Sequence, residues 1–442
     1  MIKKVKIDQE PERTLSVTGF SHDGRGIGEC LNKKTFIFGA LPDETVVCKL
    51  TKKRSNYLEA KTIRVVEAAK ERVEPICQHF GLCGGCVLQH MDTPTQLSLK
   101  QNTLLQHLKH FGQVEPAEVL PPLHATDEGY RHKARLGVRF VYKKNKLLIG
   151  FREKESRYLA DIEECAVLHP RIGKNLVAMS QCIDALETKE SIAQIEVAMG
   201  DKDIALVIRH LAPLTPADKE KLIEFSKMHH YQILLQPNPP AQLEQLWPIQ
   251  PEPRLSFSLP AYQLTYQFHP LDFTQVNLPL NRLMVDQAIH LLDIVSTDRV
   301  LDLYCGIGNF TLPIARYAQE VVGIEGSEEM VLRGEGNATL NHISNVKFYA
   351  ANLMNELTNA VWLKRYDKVL LDPPRTGAKE LLPYFHLFAP KRIVYVSCNT
   401  ATLARDAQIL VHELGYTLQQ AGIMNMFPHT AHIEAMAVFT KK

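Results

Sequence analysis

Two residues near the carboxyl end of the chain have the types and placement that covalent chemistry needs. Cys398 closes the apolar run YVSCN, so it stands at a strand end rather than in a core. Asn399 and Thr400 then open a helix whose N-terminus lowers a thiol pKa. Glu434, in HIEAMAVF, begins an alternating apolar strand. There an outward carboxylate reaches a cleft, and partial burial raises its pKa toward that of a working base. Such a pair suits addition of a thiolate to an electron-poor ring followed by proton removal. His429 and His432 compete for the role of base, but a lone histidine ahead of a strand is more often structural, and Glu434 ranks first.

Both residues need a scaffold that brings strand ends together. From about residue 266 the pattern alternates strand and helix, with parallel-strand candidates at Arg299–Tyr304, Val321–Glu325, Val346–Ala350, Lys368–Asp372 and Arg392–Ser397. Ligands bind outside the carboxyl ends of such strands, so the polar groups found there converge on one cleft. The first strand runs into VLDLYCGIGNFT, with Gly306 and Gly308 in the turn. A dinucleotide fingerprint would place a third glycine at 311, where this chain has Thr311, which favours a ligand without a pyrophosphate. Glu325, about twenty residues on, can accept both hydroxyls of a ribose. Asn352 and Asp372 close the next two strands.

The fourth strand ends in LLDPPRTG, whose prolines stiffen a loop able to hold a planar base. Methylases of exocyclic amines usually carry an aromatic residue after this turn, and Arg375 stands there instead, which disfavours an amine substrate. A methyl donor beside a thiolate has one well-defined use. Carbon 5 of uracil is a weak nucleophile, and thiolate addition at carbon 6 makes it a strong one. Cytosine methylation uses the same chemistry. A binding protein with a vestigial fold needs neither Cys398 nor Glu434.

Upstream, RTLSVTGFS, KTFIFGA, ETVVCKLTKKR and LEAKTIRVVE, separated by the turn signals HDGRGIG and LPDE, predict a small barrel over residues 1–72. Fifteen Lys and Arg against eleven Asp and Glu in residues 1–75 make it basic, as in barrels that bind nucleic acid. In PICQHFGLCGGC, Cys77, Cys83 and Cys86 crowd together, and Cys165 is the best fourth thiol; such a set suits zinc or an iron–sulfur cluster. Residues 93–113 have helical periodicity, with Thr93 or Thr95 as cap. Residues 131–157 carry ten Lys and Arg against two Glu, and alternation puts Arg131, Lys133, Arg135, Gly137 and Arg139 on one face as a phosphate track. The alternative for that stretch is an edge strand protected by charge. Gln236–Pro253 reads as a long loop between strands.

At 442 residues, 45% hydrophobic and 23% charged, the chain has the composition of an ordinary globular protein of two or three domains. The opening MIKKVKIDQE lacks the apolar core of a signal peptide, and no apolar run approaches the roughly 20 residues of a membrane span, so a cytoplasmic location is expected. Nine cysteines in such a chain point to metal binding or catalysis rather than disulfides.

With these residues assembled, the chain resembles the RNA uracil-C5 methyltransferases, in particular the branch that acts on 23S ribosomal RNA. DLYCGIGNFTLP, SCNTATLARD and HIEAM carry the resemblance, which extends over nearly the whole length. It implies a multidomain α/β protein: an N-terminal TRAM or OB-like β-barrel at 1–72, a central α+β iron–sulfur and RNA-binding domain at 73–265, and a class I, Rossmann-like methyltransferase domain at 266–442. Carried over residue by residue, it makes Cys77, Cys83, Cys86 and Cys165 ligands of a [4Fe-4S] cluster. Gln275, Tyr304, Asn309, Glu325, Asn352 and Asp372 become contacts of S-adenosylmethionine, Cys398 the nucleophile and Glu434 the base. The implied partner is 23S ribosomal RNA. Departures are small: Tyr304 where many members have Phe, Thr400 where Pro is frequent, and Ala431 where Gly is common.

Overall fold

The computed structural model describes residues 11–441 apart from 155, 238–242, 250–252, 356 and 358–359. It divides into two compact units. The first comprises residues up to Lys100, Arg152–Ala160 and Phe427–His432; the second comprises Gln101–Phe151, Asp161–Met426 and Ile433 onward.

The first unit is built on a closed barrel of β1 (Arg13–Phe20), β2 (Gly26–Cys30), β3 (Lys33–Phe38), β4 (Thr45–Lys53) and β5 (Tyr57–Glu67), in the order β1-β2-β3-β5-β4. Inward alternation fills it with Val17, Ile37, Val46, Leu50 and Leu58. The glycines of GRGIG, expected to mark a turn, lie partly in β2. A Cβ at Gly26 would stand 2.8 Å from the Val17 side chain, and one at Gly28 would stand 2.7 Å from the Ser16 carbonyl. These glycines therefore serve close strand approach rather than chain reversal. Glu44, buried, accepts hydrogen bonds from the Leu41 amide at 2.8 Å and from Arg72. Burial alone would raise its pKa, but these bonds outweigh it and hold the carboxyl below the usual range.

In the second unit, β7 (Lys133–Val141), β8 (Lys146–Gly150), β9 (Ile192–Met199), β10 (Ile204–His210), β11 (Gln232–Pro237) and β12 (Glu244–Trp247) form a mixed sheet, ordered β12-β11-β10-β9-β7-β8. The expected loop at Gln236–Pro253 thus holds an edge strand, while residues 238–242 and 250–252 lie outside the described residues. A hairpin follows, of β13 (Leu255–Leu259) and β14 (Leu264–Phe268).

The largest sheet takes β6 (Glu118–Val119), β15 (Arg299–Leu303), β16 (Glu320–Glu325), β17 (Val346–Ala350), β18 (Lys368–Leu371), β19 (Arg392–Ser397), β20 (Tyr416–Met424) and β21 (Glu434–Lys441). Its order is β17-β16-β15-β18-β19-β21-β20-β6. The strands from β17 to β19 pair in parallel and β21 returns antiparallel. Leu301, Val321, Leu370 and Val394 are buried, as parallel strands covered on both faces require. The helix expected from residue 93 runs Thr93–His110, and the Asp92 side chain accepts from the Thr95 amide at 2.9 Å, so Asp92 rather than a threonine caps it. No helix among the described residues is long and apolar enough to cross a membrane.

One part of the expected architecture is overturned, the iron–sulfur centre. Among the described residues no group of three or more His, Cys, Asp and Glu side chains is placed to hold a metal ion. Cys77, Cys83 and Cys86 belong to the first unit and Cys165 to the second. Burial pushes the Cys83 thiol up, while the Gly85 amide donates to its sulfur at 3.4 Å. The residues do not fit the cluster, and among the described residues of 73–265 no metal centre is formed.

Strand β7 also differs from a protected edge, because it pairs with β8 on one side and β9 on the other. Its alternation is as expected, with Ala134, Leu136 and Val138 buried and the odd-numbered residues facing outward. The track is nevertheless interrupted. Lys133 donates to the Asp272 carbonyl, and Arg135 lies 3.4 Å from Glu196.

Candidate active site

The sheet delivers the site residues by register. β21 runs antiparallel to β19, so its first residue lies at the edge where β19 ends. The ladder ends at Ser397 paired with Ala435, the residues just before Cys398 and just after Glu434, and the Glu434 charge acts on the Cys398 thiol. Leu303 pairs with Leu371 and with Ile324, which brings Tyr304, Asp372 and Glu325 to the same edge. Pairs this far apart in sequence meet only because the parallel order places β18 between β15 and β19.

Electrostatics at this edge are dominated by acids. Burial, then the charge of Asp372, pushes the Glu434 carboxyl up to about 8 against the pull of Arg375. Burial alone takes Asp372 to about 7. Cys398 lies just ahead of the helix Thr400–Gln408, as expected, yet its thiol is pushed up to about 11 rather than down. Burial is the main cause, followed by the charges of Glu434 and Asp372, with Arg375 opposing them. In this state Cys398 is a thiol and Glu434 is largely protonated at pH 7, so each must give up a proton before it can act as nucleophile or base.

SCNTATLARD works as a clamp on the loop after Asp372. Asn399 caps its helix by accepting from the Ala401 amide at 3.1 Å, and its Nδ2 donates to the Arg375 carbonyl at 3.0 Å. The Thr402 hydroxyl donates to the same carbonyl at 3.3 Å. Asp406, fully buried, accepts at 2.7 Å from the Ala378 amide and from the Tyr395 hydroxyl. Gly377, at φ 81°, has no room for a Cβ, which would meet Arg405 and Asp406 at 2.5 Å. Thr400 forms a 2.8 Å hydrogen bond with His107 Nδ1. The Cys398 loop and the Asp-Pro-Pro-Arg loop are thereby tied together. Asn399, Thr402 and Asp406 were missed as contributors to the site, since only an N-cap at Asn399 is readable from spacing.

A cavity beside this edge is lined by Phe273, Gln275, Tyr304, Gly306, Asn309 and Asp372, among others. Four of the six expected donor contacts thus face one space. Glu325 joins that wall, accepting from the Gly306 amide at 3.0 Å and from the Gly326 amide at 2.8 Å. Asn352 follows β17 and is exposed, its Oδ1 accepting from the Met354 amide at 3.0 Å. Thr311, in place of a third glycine, donates to buried Asp302 at 2.5 Å. Cys305 is buried, with its thiol pushed far up, and is inert. His429 belongs to the first unit, where Gln96 Oε1 accepts from its amide at 3.1 Å. Phe273, 70% exposed beside the cavity, was not singled out by sequence, because a lone aromatic in DFTQVN carries no periodic signal.

Tyr304 adopts φ 65°, in the left-handed region that a bulky residue enters at a cost. Its hydroxyl is buried without a hydrogen-bond partner among the described residues, and burial pushes it up to about 12. Tyr304→Phe should therefore raise stability in the ligand-free protein by about 1 kcal/mol, since it removes an unsatisfied polar atom and keeps the ring. Denaturant titration of both proteins checks this; a loss of stability would mean the hydroxyl is satisfied.

Comparison with known proteins now bears on this arrangement. The tRNA (uracil-5-)-methyltransferase family model matches residues 92–442, and the TRAM domain matches residues 11–63. A 23S rRNA (uracil(1939)-C(5))-methyltransferase RlmD of Hahella chejuensis is 50% identical over 99% of both chains. The protein of that name from Legionella pneumophila (strain Corby) is 48% identical over 97% of both. Among solved structures, the Pyrococcus abyssi tRNA (uracil-54, C5)-methyltransferase in complex with S-adenosyl-L-homocysteine aligns with a TM-score of 0.74 at 22% identity. It covers 97% of this chain and all of its own, and shows a shared fold. With a family model spanning most of its length and relatives half identical to it from end to end, the chain belongs to the RNA uracil-5-methyltransferase family.

Proposed function

We propose that this chain methylates carbon 5 of a specific uridine in 23S ribosomal RNA, using S-adenosylmethionine, through a covalent bond between Cys398 and carbon 6. The observation that carries the reading is the register that ends at Ser397–Ala435, which brings Cys398 and Glu434 to the edge where the glycine turn and Asp372 also lie. The name shared by relatives that align from end to end supports 23S RNA as the substrate.

The donor, when bound, supplies the methyl group as an electrophile. Gln275, Tyr304, Asn309, Glu325, Asn352 and Asp372 would hold it, the carboxylates suiting ribose hydroxyls and a sulfonium charge. Cys398 passes its proton to water, and the resulting thiolate adds to carbon 6, pushing electrons through the ring onto the carbon 4 oxygen. Arg375, the cation that opposes the acids here, favours that negative charge. After carbon 5 gains its methyl group, Glu434 takes the carbon 5 proton. The electrons of that C–H bond form the 5,6 double bond, and the carbon–sulfur bond breaks to return the thiolate. The exposed ring of Phe273 beside the cavity suits stacking on an extruded base.

The barrel, read as 1–72, and the outward face of β7 would bind RNA backbone through Arg135 and Arg139, with catalysis in 266–442. The cytoplasm is where such a substrate is met. Labelled S-adenosylmethionine with unmodified 23S RNA, followed by nucleoside analysis, tests the reading. 5-Methyluridine is the expected product. Product on transfer RNA alone would move the target, and none on either RNA would overturn the proposal.

A further inference from the structure

Asn281 sits in the first turn of the helix Leu278–Leu292 with 1% of its surface exposed. A buried carboxamide is costly unless its donors and acceptors are met, so its partner is informative. That partner is Asn309. Asn281 Nδ2 donates to Asn309 Oδ1 at 2.9 Å, and Asn309 Nδ2 donates back to Asn281 Oδ1 at 3.0 Å. A reciprocal pair has a property that a single bond lacks: turning either amide over sets oxygen against oxygen and nitrogen against nitrogen, losing both bonds together. Each carboxamide keeps one N–H and one oxygen lone pair for other partners.

Asn309 lines the cavity beside the glycine turn. Asn281 comes from the helix that Asn277 caps, its Oδ1 accepting from the Leu280 amide at 3.0 Å while its Nδ2 donates to the Met426 carbonyl at 3.3 Å. Gln275, the other carboxamide of the cavity, lies two residues before that cap. One helix start thus holds both amides of the cavity wall.

We propose that Asn281 is a positioning residue for the methyl donor, locking the Asn309 carboxamide in one of its two orientations before the donor arrives. This rests on the reading that Asn309 touches the donor. The terminal torsion of an asparagine is broad and two-fold, so an unlocked Asn309 would spend part of its time misdirected and would pay for ordering on binding. Asn281→Leu keeps the bulk and removes the lock. Asn281→Asp keeps the acceptor for Asn309 Nδ2 and so should partly rescue.

The test is the dissociation constant of S-adenosylmethionine by calorimetry on the full chain, together with steady-state kinetics. Asn281→Leu should weaken donor binding about tenfold and raise the donor KM in step, with kcat at saturating donor within about twofold. In an Asn309→Ala background the same change should add nothing. An unchanged dissociation constant in Asn281→Leu, alongside weakened binding in Asn309→Ala, would overturn the inference, and so would additive losses in the double variant. Unchanged binding in Asn309→Ala would instead overturn the reading beneath it. Should Asn281→Leu fail to fold, Asn281→Ala, which also removes both bonds, carries the same comparisons.

Discussion

Cys398→Ala should bind both RNA and methyl donor and yet transfer no methyl group, with a loss on the order of 10⁵- to 10⁶-fold, the scale of deleting a covalent nucleophile. The loss is this large because nothing else at the sheet edge can activate carbon 5: the other thiol nearby, Cys305, is buried and protonated. Measuring 5-methyluridine formation and RNA affinity side by side separates chemistry from binding. Full activity in Cys398→Ala would eliminate the adduct mechanism whatever the product. The wild-type rate should also climb with pH. A thiol pushed up to about 11 is scarcely ionised at pH 7, so each step toward alkaline pH raises the thiolate fraction until another event limits turnover.

Glu434→Gln should slow turnover by about 10³-fold while leaving addition and methyl transfer intact, because the missing step comes last. The methylated adduct then has no base to release it, and an RNA–protein species that survives denaturing electrophoresis should accumulate. Its absence, with normal methylated product, would assign the proton to another group. The stability of the same variant carries a sign. The Glu434 carboxyl is raised to about 8 in the folded chain, so the native state binds more protons than the unfolded one between the ordinary carboxylate range and that value. Folding is therefore penalised as pH rises through this window. Glu434→Gln, with no charge to bury, should be the more stable protein at pH 9, and the difference should vanish near pH 4. Thermal melts across that range measure it.

Much of this was legible in the chain itself, and the reasons are local. Runs such as RVLDL and RIVYVS end in a turn or a polar residue, and a buried parallel strand must be apolar along its length, so β15 to β19 could be placed within a residue or so. A strand end is where a polar group can be accommodated, and Glu325, Asp372 and Cys398 stand there for that reason. The absence of a third glycine at 311 is also local, and Thr311 fills that place with a hydrogen bond to Asp302.

Other features depend on which elements become neighbours. Cys77, Cys83 and Cys86 are adjacent in sequence, but only folding decides whether a fourth thiol joins them, and no such centre forms among the described residues. The helix after Cys398 suggests an acidic thiol, whereas burial in the folded chain, and then the charges of Glu434 and Asp372, make it a weak acid. Asn281 and Asn309 are 28 residues apart with nothing in their spacing to connect them, and their carboxamides meet face to face. The sequence by itself determined the strands, the glycine turn and which side chains are candidates for the chemistry, because each follows from short-range pattern and residue type. Tertiary structure alone decided their ionisation, the clamp between loops and the locked amide, because electrostatics and hydrogen bonding act through space between segments that the chain keeps far apart.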